Sequence, residues 1–386
     1  MHLQRIQVPD FRVLKDVDIT FEKDFSPRIF PLGSQNGGGK STLIQLIFAL
    51  LHFSLNERLS FIKNILRSFK VKNNNEEGKI LAIIDIWDGE KTVRLEFLGF
   101  SFFYARKKYL RDPNLFSHQE FSENLLKENM ISITSYSNDQ ADTASEYLFC
   151  RPTNIDMNEI YNFLGKLSQK VFLAAPLNQV FLFLNQESKK LLFTKKIEKD
   201  DVNQLINYYS VLKDAKSDLK GFFTYDFFAM DIFIEMFQNA RDKDFKEVVE
   251  IGKYGDNYQS LFNELNSLLT NKKITVTPDF SGVVFSEERD GKTIEFEPED
   301  LSHGELKRLS IYMWLKHRKI EDSIVLMDEI ENGFHLDWQY RMISDLKEWV
   351  PNNQYILATH SYDLCQSLTP KHVKELEPKL LKSVSN

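Results

Sequence analysis

The chain has 386 residues, 42% of them hydrophobic and 27% charged, and a formal net charge of −7. That length supports two lobes with a large core, and the acidic balance excludes a molecule that wraps nucleic acid over its whole surface. Two cysteines, Cys150 and Cys365, exclude a disulfide framework or a cysteine-based metal site and fit a reducing cytoplasm. No signal peptide opens the sequence, and the longest apolar run, Leu43 to Leu55, is too short for a bilayer and carries Gln45 and His52.

Leu3 to Val8 and Val17 to Phe21 alternate as strands do. An apolar stretch, Arg28 to Leu32, then leads into Ser34-Gln35-Asn36-Gly37-Gly38-Gly39-Lys40-Ser41-Thr42, and Leu43 to Leu51 reads as a helix. Strand, glycine-rich loop and helix in that order predict a phosphate-binding loop. Glycines let successive backbone N–H groups turn around a phosphate chain, and the helix N-terminus adds partial positive charge. Lys40 is expected to reach the β- and γ-phosphates and Ser41 to bind Mg²⁺. The strict pattern has glycine at position 34, where this chain has Ser34 preceded by Gly33.

Ile80 to Trp87 and Thr92 to Phe97 flank Asp88-Gly89, which predicts a hairpin. Residues 107–271 mix polar loops with predicted helices around one apolar run, Val171 to Ala175, that reads as a buried strand. No heptad repeat is sustained there, so no long coiled-coil arm is expected. The basic clusters Arg106-Lys107-Lys108 with Arg111, and Lys189-Lys190 with Lys195-Lys196, read as solvated faces sooner than as binding patches. The aromatic segment Phe222 to Phe228 reads as core or as an oligomer surface, with core favoured. Strands resume at Ile274 to Thr277, Val283 to Phe285 and Thr293 to Phe296, the last after a turn at Asp290-Gly291.

Three later segments carry chemistry. In Leu301-Ser302-His303-Gly304-Glu305, Ser302 with Glu305 three residues on predicts a capping box. The helix that follows has apolar Leu306, Leu309, Met313 and Trp314 on one face, with Ile311 and Leu315 off it, so burial on more than one side is expected. Its N-terminus is a second candidate anion site. Ser323 to Met327 is an apolar run ending in Asp328-Glu329, the pattern of a buried parallel strand whose carboxyl end meets a nucleotide. Asp328 would hold Mg²⁺ and Glu329 would polarise the attacking water, a role worth about 10²–10⁴-fold in rate. Gln354 to Thr359 is another buried-strand pattern, and His360 follows it.

The run Leu301 to Arg308 resembles the ABC-type signature in the glutamate form of the SMC and RecF-like branch, with His303 at a position that is usually glycine. Asp328-Glu329-Ile330-Glu331-Asn332-Gly333-Phe334-His335-Leu336-Asp337 is similar to the Walker B and D-loop wording of RecF, OLD and defence-associated ATPases, with Leu336 at their proline. The opening, Val8 to Glu22, is similar to the start of RecF- and SMC-like ATPases, which brings Arg12 towards the nucleotide. This resemblance implies an α/β fold: an ABC-type P-loop ATPase head with a mixed β-sheet core and a long, largely helical insertion. The implied division is 1–106, 107–271 and 272–386. It also implies ATP and Mg²⁺ as ligands, with Ser34, Asn36, Gly37, Gly38, Gly39, Lys40, Ser41 and Thr42 around the nucleotide and Ser41 and Asp328 on the metal. Glu329 and the switch histidine His360 are the implied catalytic residues. Ser302, Gly304 and Glu305 would act in trans, so a homodimer or a higher even-numbered homo-oligomer is expected. One of Gln119, Gln140 and Gln179 would report the γ-phosphate.

For the biological role, the sequence is similar to the ATPase subunits of two-gene antiphage systems such as PARIS or Septu. A cytoplasmic sensor or switch with a DNA or phage-protein trigger is therefore expected, acting on a separate effector. The chain ends at Asn386, soon after His360, leaving no room for the nuclease domain of OLD-type proteins. A RecF-like ATPase working directly on DNA is the alternative. A transporter subunit is disfavoured by the glutamate-type signature and the long insertion, and no membrane partner is expected.

Overall fold

The computed structural model describes residues 1–35, 37–52, 66, 69, 71, 78–115, 117–136, 146–176, 221–225, 230–277, 282–297 and 300–376. Asn36, Gln140, Gln179, the lysines at 189–196 and the end of the aromatic segment, 226–228, lie outside the described residues.

The chain opens with strands β1 (His2–Phe11), β2 (Leu14–Thr20) and β3 (Ile29–Gly33), then helix α1 (Lys40–Leu51). Strands β4 (Lys79–Trp87) and β5 (Thr92–Ser101) follow, then helices α2 (Phe102–Tyr109) and α3 (His118–Lys127). Next come β6 (Ile131–Tyr136), β7 (Glu146–Thr153), α4 (Ile160–Ser168), β8 (Val171–Ala175) and β9 (Phe222–Thr224). Helices α5 (Met230–Ile251) and α6 (Asn257–Ser267) precede β10 (Lys272–Val276), β11 (Val283–Arg289) and β12 (Lys292–Phe296). The last part holds α7 (His303–His317), β13 (Ile324–Asp328), α8 (Leu336–Trp349), β14 (Gln354–Ala358) and β15 (Lys374–Glu375).

Two sheets of six strands sandwich α1. One is antiparallel in the order β2-β1-β4-β5-β7-β6. The other is parallel throughout, in the order β15-β3-β14-β13-β8-β9. Parallel strands need cover on both faces, and every residue of β13 and β14 is buried. Alternate side chains serve two separate cores. Ile324, Leu326 and Ile356 pack with α1 and the antiparallel sheet. Val325, Met327, Tyr355 and Leu357 pack with Leu309 and Met313 of α7 and Met342 and Leu346 of α8. Between two sheets α1 has no solvent face, so all of Leu43 to Leu51 is buried, Gln45 included.

Within residues 107–271 helix exceeds strand among the described residues, yet the strands are not set apart from the rest. β7 pairs along β5, with Phe97 opposite Cys150, and β8 lies between β13 and β9 in the parallel sheet. The run Val171 to Ala175 is thus a buried strand, as its composition predicts. The hairpin of β4 and β5 closes through a four-residue turn. The Asp88 carboxylate accepts from the N–H groups of Glu90 and Lys91, at 2.7 and 2.8 Å. In the Asp290-Gly291 turn both residues have positive φ, 50° and 72°, as a tight two-residue hairpin requires.

Helix α7 is buried on several sides, at Gly304, Glu305 and Lys307 to Leu315, as its off-face apolar residues predict. Arg308 ties it to its neighbours: two guanidinium N–H groups donate to the Asp345 carboxylate at 2.7 and 2.9 Å, and a third reaches the Leu268 carbonyl at 2.7 Å. This buried pair offsets its desolvation cost with bidentate geometry and fixes α7 against α8.

Candidate functional site

Because β3, β14 and β13 are adjacent and parallel, three loops remote in sequence meet at their carboxyl ends. These are the loop after β3, the turn after β13 and the segment after β14.

The loop after β3 depends on its glycines. Gly37 and Gly39 have φ of 80° and 92°. A Cβ on Gly38 would lie 2.4 Å from Ser34 Oγ, and one on Gly39 would lie 2.6 Å from a Leu14 methyl. Ser34, the departure from the strict pattern, is accommodated because residue 38 has no side chain. It also has partners: Lys40 Nζ donates to the Ser34 carbonyl at 3.1 Å and to its hydroxyl at 3.2 Å. The ammonium also lies 3.4 Å from His360 Nδ1, which makes Nδ1 the acceptor and leaves the ring proton on Nε2. Burial lowers the Lys40 pKa, opposed by the charges of Glu331 and Asp328. Helix α1 starts with no side-chain cap, so the donors of its first turn, which contains Ser41 and Thr42, are not taken by a capping side chain.

At the end of β13, Ser41 Oγ donates to Asp328 Oδ1 at 3.0 Å, while Asp328 Oδ2 is buried without a hydrogen-bond partner. Burial raises the Asp328 pKa to about 7, against the Ser41 hydrogen bond and with help from the charges of Glu329 and Glu331. A buried, unpartnered carboxylate oxygen beside a serine hydroxyl fits a hard divalent cation such as Mg²⁺. Asp328 and Ser41 are the residues that would hold it.

This shift has a consequence for stability. The ordinary value is 3.8, so between about pH 4 and 7 the folded chain holds a proton on Asp328 that the unfolded chain lacks. Unfolding then releases a proton, and stability falls as pH rises through that window. The melting temperature of the nucleotide-free protein is expected to drop from pH 5 to pH 8, and to drop less in Asp328→Asn. Thermal melts across that range check this, and equal slopes in the two proteins would assign the titration to another group.

Glu329 begins the turn after β13 in a left-handed conformation, φ 48°. For a residue other than glycine such backbone costs of order 1–3 kcal/mol and is held by its surroundings. Its N–H donates to the Ala358 carbonyl at 2.9 Å, its carboxylate accepts from Asn332 Nδ2 at 2.7 Å, and its carbonyl accepts from Lys307 Nζ at 3.1 Å. Glu331, not picked out from the sequence as a site residue, accepts from the His360 N–H at 2.6 Å and keeps its other oxygen buried and unpartnered. Its signal was a further acid three residues after Asp328, ambiguous without the position of His360.

The signature segment forms a separate group. Ser302 caps α7, its hydroxyl accepting from the Glu305 N–H at 3.3 Å and donating to the Glu305 carboxylate at 2.9 Å. The capping box is complete. Lys272 Nζ adds bonds of 3.0 and 2.8 Å to that carboxylate. Burial pushes the Glu305 pKa up, but the Lys272 and Ser302 hydrogen bonds outweigh it and hold the group below its ordinary value. Glu305 therefore points inward, whereas Ser302 and His303 are exposed. Glycine is required at 304, where a Cβ would meet the Gly333 carbonyl at 2.9 Å and the Trp338 ring at 3.0 Å. Among the described residues no hydrogen bond links Ser302, Gly304 or Glu305 to Lys40, Ser41, Asp328 or His360. Gln119 lies on α3, donating to Glu123. No described helix is long and apolar enough to cross a membrane.

Among solved structures, the chain is similar to an SMC head bound to the C-terminal winged-helix domain of ScpA. The identity is 17%, with 94% of this chain and 91% of that one covered and a TM-score of 0.42. An SMC head domain from Thermotoga maritima is 12% identical, with 95% and 92% covered and a TM-score of 0.43. The model of the AAA ATPase domain family matches residues 1–365, nearly the whole chain, and the protein belongs to that family.

Proposed function

We propose that this AAA ATPase binds MgATP in the loop after β3 and hydrolyses it with Glu329 as general base. The observation that carries the reading is the bond between Ser41 and Asp328, beside an orphaned Asp328 oxygen and the buried Lys40 ammonium. Lys40 and the N–H groups of the loop, Gly37 to Gly39 together with Ser34, Asn36 and Thr42, bind the phosphates. Lys40 would leave Ser34 for the β- and γ-oxygens. Ser41 and Asp328 would hold Mg²⁺, which when bound would neutralise charge on the phosphates. Glu329 takes the proton of the attacking water, and His360 Nε2–H donates to the γ-phosphate. Catalysis is then mostly positioning and electrostatics.

Ser302 is exposed at the N-terminus of α7, next to the backbone of the buried Gly304, a position that suits a γ-phosphate presented by a second copy of the chain. Glu305 shapes that turn from within. The unit is a homodimer, or a higher even-numbered assembly, that closes on ATP. The role we infer is a cytoplasmic sensor or switch in antiphage defence that controls a separate effector, with DNA or a phage protein as trigger. The resemblance of the signature and the Asp328 to Asp337 segment to defence-associated ATPases supports it.

Native mass spectrometry of tagged Glu329→Gln from its own host, with and without ATP, tests this. An ATP-dependent even-numbered assembly carrying a second protein is the expected result. An ATP-induced dimer without a companion would favour a RecF-like protein acting directly on DNA, and a monomer under all conditions would overturn the in-trans site.

A further inference from the structure

We propose that Lys307 is a positioning residue that couples the first turn of α7 to the carboxylate of Glu329. The inference rests on the reading of Glu329 as general base. Lys307 lies two residues past the capping box and is 6% exposed. Its ammonium donates to the carbonyls of Glu329 and Asn332, at 3.1 and 2.9 Å, and sits 4.0 Å from the Tyr225 ring centroid and 5.3 Å from that of Phe334. One cation therefore holds both ends of a four-residue turn. The turn's first residue is the base, in a backbone conformation that needs external support. Its last residue, Asn332, holds the base's carboxylate.

A second contact makes the link stiff. Gly304 packs against the Gly333 carbonyl so closely that no side chain fits between them. A shift of the first turn of α7 would therefore press directly on the turn after β13. Ser302 and Gly304 face a partner's nucleotide in the proposed dimer, whereas Glu329 serves the nucleotide of its own subunit. The ammonium does not touch substrate and acts only through the turn it holds.

The test is single-turnover hydrolysis and equilibrium ATP binding in Lys307→Met and Lys307→Arg, each also made in the Glu329→Gln background. Lys307→Met keeps the aliphatic stem and loses the donors. It is expected to lower the hydrolysis rate by about 10–100-fold while ATP affinity stays within about 2-fold, the signature of an interaction that matters in the transition state. Lys307→Arg is expected to recover most of the rate. In Glu329→Gln the same Met substitution should change the residual rate by less than about 2-fold, because the group it positions is gone. Equal fractional losses in both backgrounds would make Lys307 merely structural, and an unaffected rate in Lys307→Met would overturn the coupling. Should the Met variant not fold, Lys307→Leu, which also lacks donors, carries the same comparison. Full turnover by Glu329→Gln alone would instead bring down the base assignment, and this proposal with it.

Discussion

Glu329→Gln is expected to bind ATP as the wild type does and to hydrolyse it about 10²–10⁴-fold more slowly. The substitution preserves size and leaves an amide oxygen to accept from Asn332, so the bond at 2.7 Å has a replacement acceptor. The backbone of residue 329 keeps its bonds to Ala358 and Lys307, so the left-handed turn should survive. What is lost is the ability to take a proton. Single-turnover hydrolysis beside equilibrium binding separates the two effects. Unchanged hydrolysis would move the base elsewhere, and Glu331, with a buried unpartnered oxygen, would be the next carboxylate to replace.

Lys40→Ala is expected to weaken ATP binding by about 10²-fold, the scale of one or two hydrogen bonds from a charged donor. The nucleotide-free protein should melt near the wild-type temperature. Burial already disfavours the charged form of Lys40, and its hydrogen bonds to Ser34 are modest compensation. Calorimetric titration with ATP, run beside a thermal melt, distinguishes lost recognition from lost folding. Retained affinity with an intact fold would show that the glycine loop does not bind the phosphates.

Much of the site was legible because its parts are local. A strand, a glycine loop and a helix define the region of Lys40 and Ser41 within the single stretch Ile29 to Leu51. Buried-strand patterns ending in Asp328-Glu329 and before His360 point to carboxyl ends of parallel strands wherever those strands lie. The hairpins at Asp88 and Asp290 are equally local, being set by turn residues. What the sequence did not reveal depends on adjacency across hundreds of residues. Ser34 looked like a defect in a motif until the Lys40 side chain folded back on it. Glu331 became a site residue through the N–H of His360, on a neighbouring strand's end. Nothing in the sequence marks Lys307, because its hydrogen-bond partners at Glu329 and Asn332 are backbone carbonyls, which carry no sequence signature. The contribution of residues 131–175 to both sheets was hidden for the same reason, since strand pairing partners are not written in a strand's own residues.

The alternation along β13 and β14 has a thermodynamic consequence. Leu326 and Ile356 belong to the core around α1, and Val325 and Leu357 belong to the core around α7 and α8. Asp328, where β13 ends, is the border of both. A ligand bound at that border is linked to the folding of each half, stabilising by mass action whichever core needs the strand in place. If nucleotide binds there as proposed, its occupancy would set how cooperatively the two halves unfold, a role separate from its turnover.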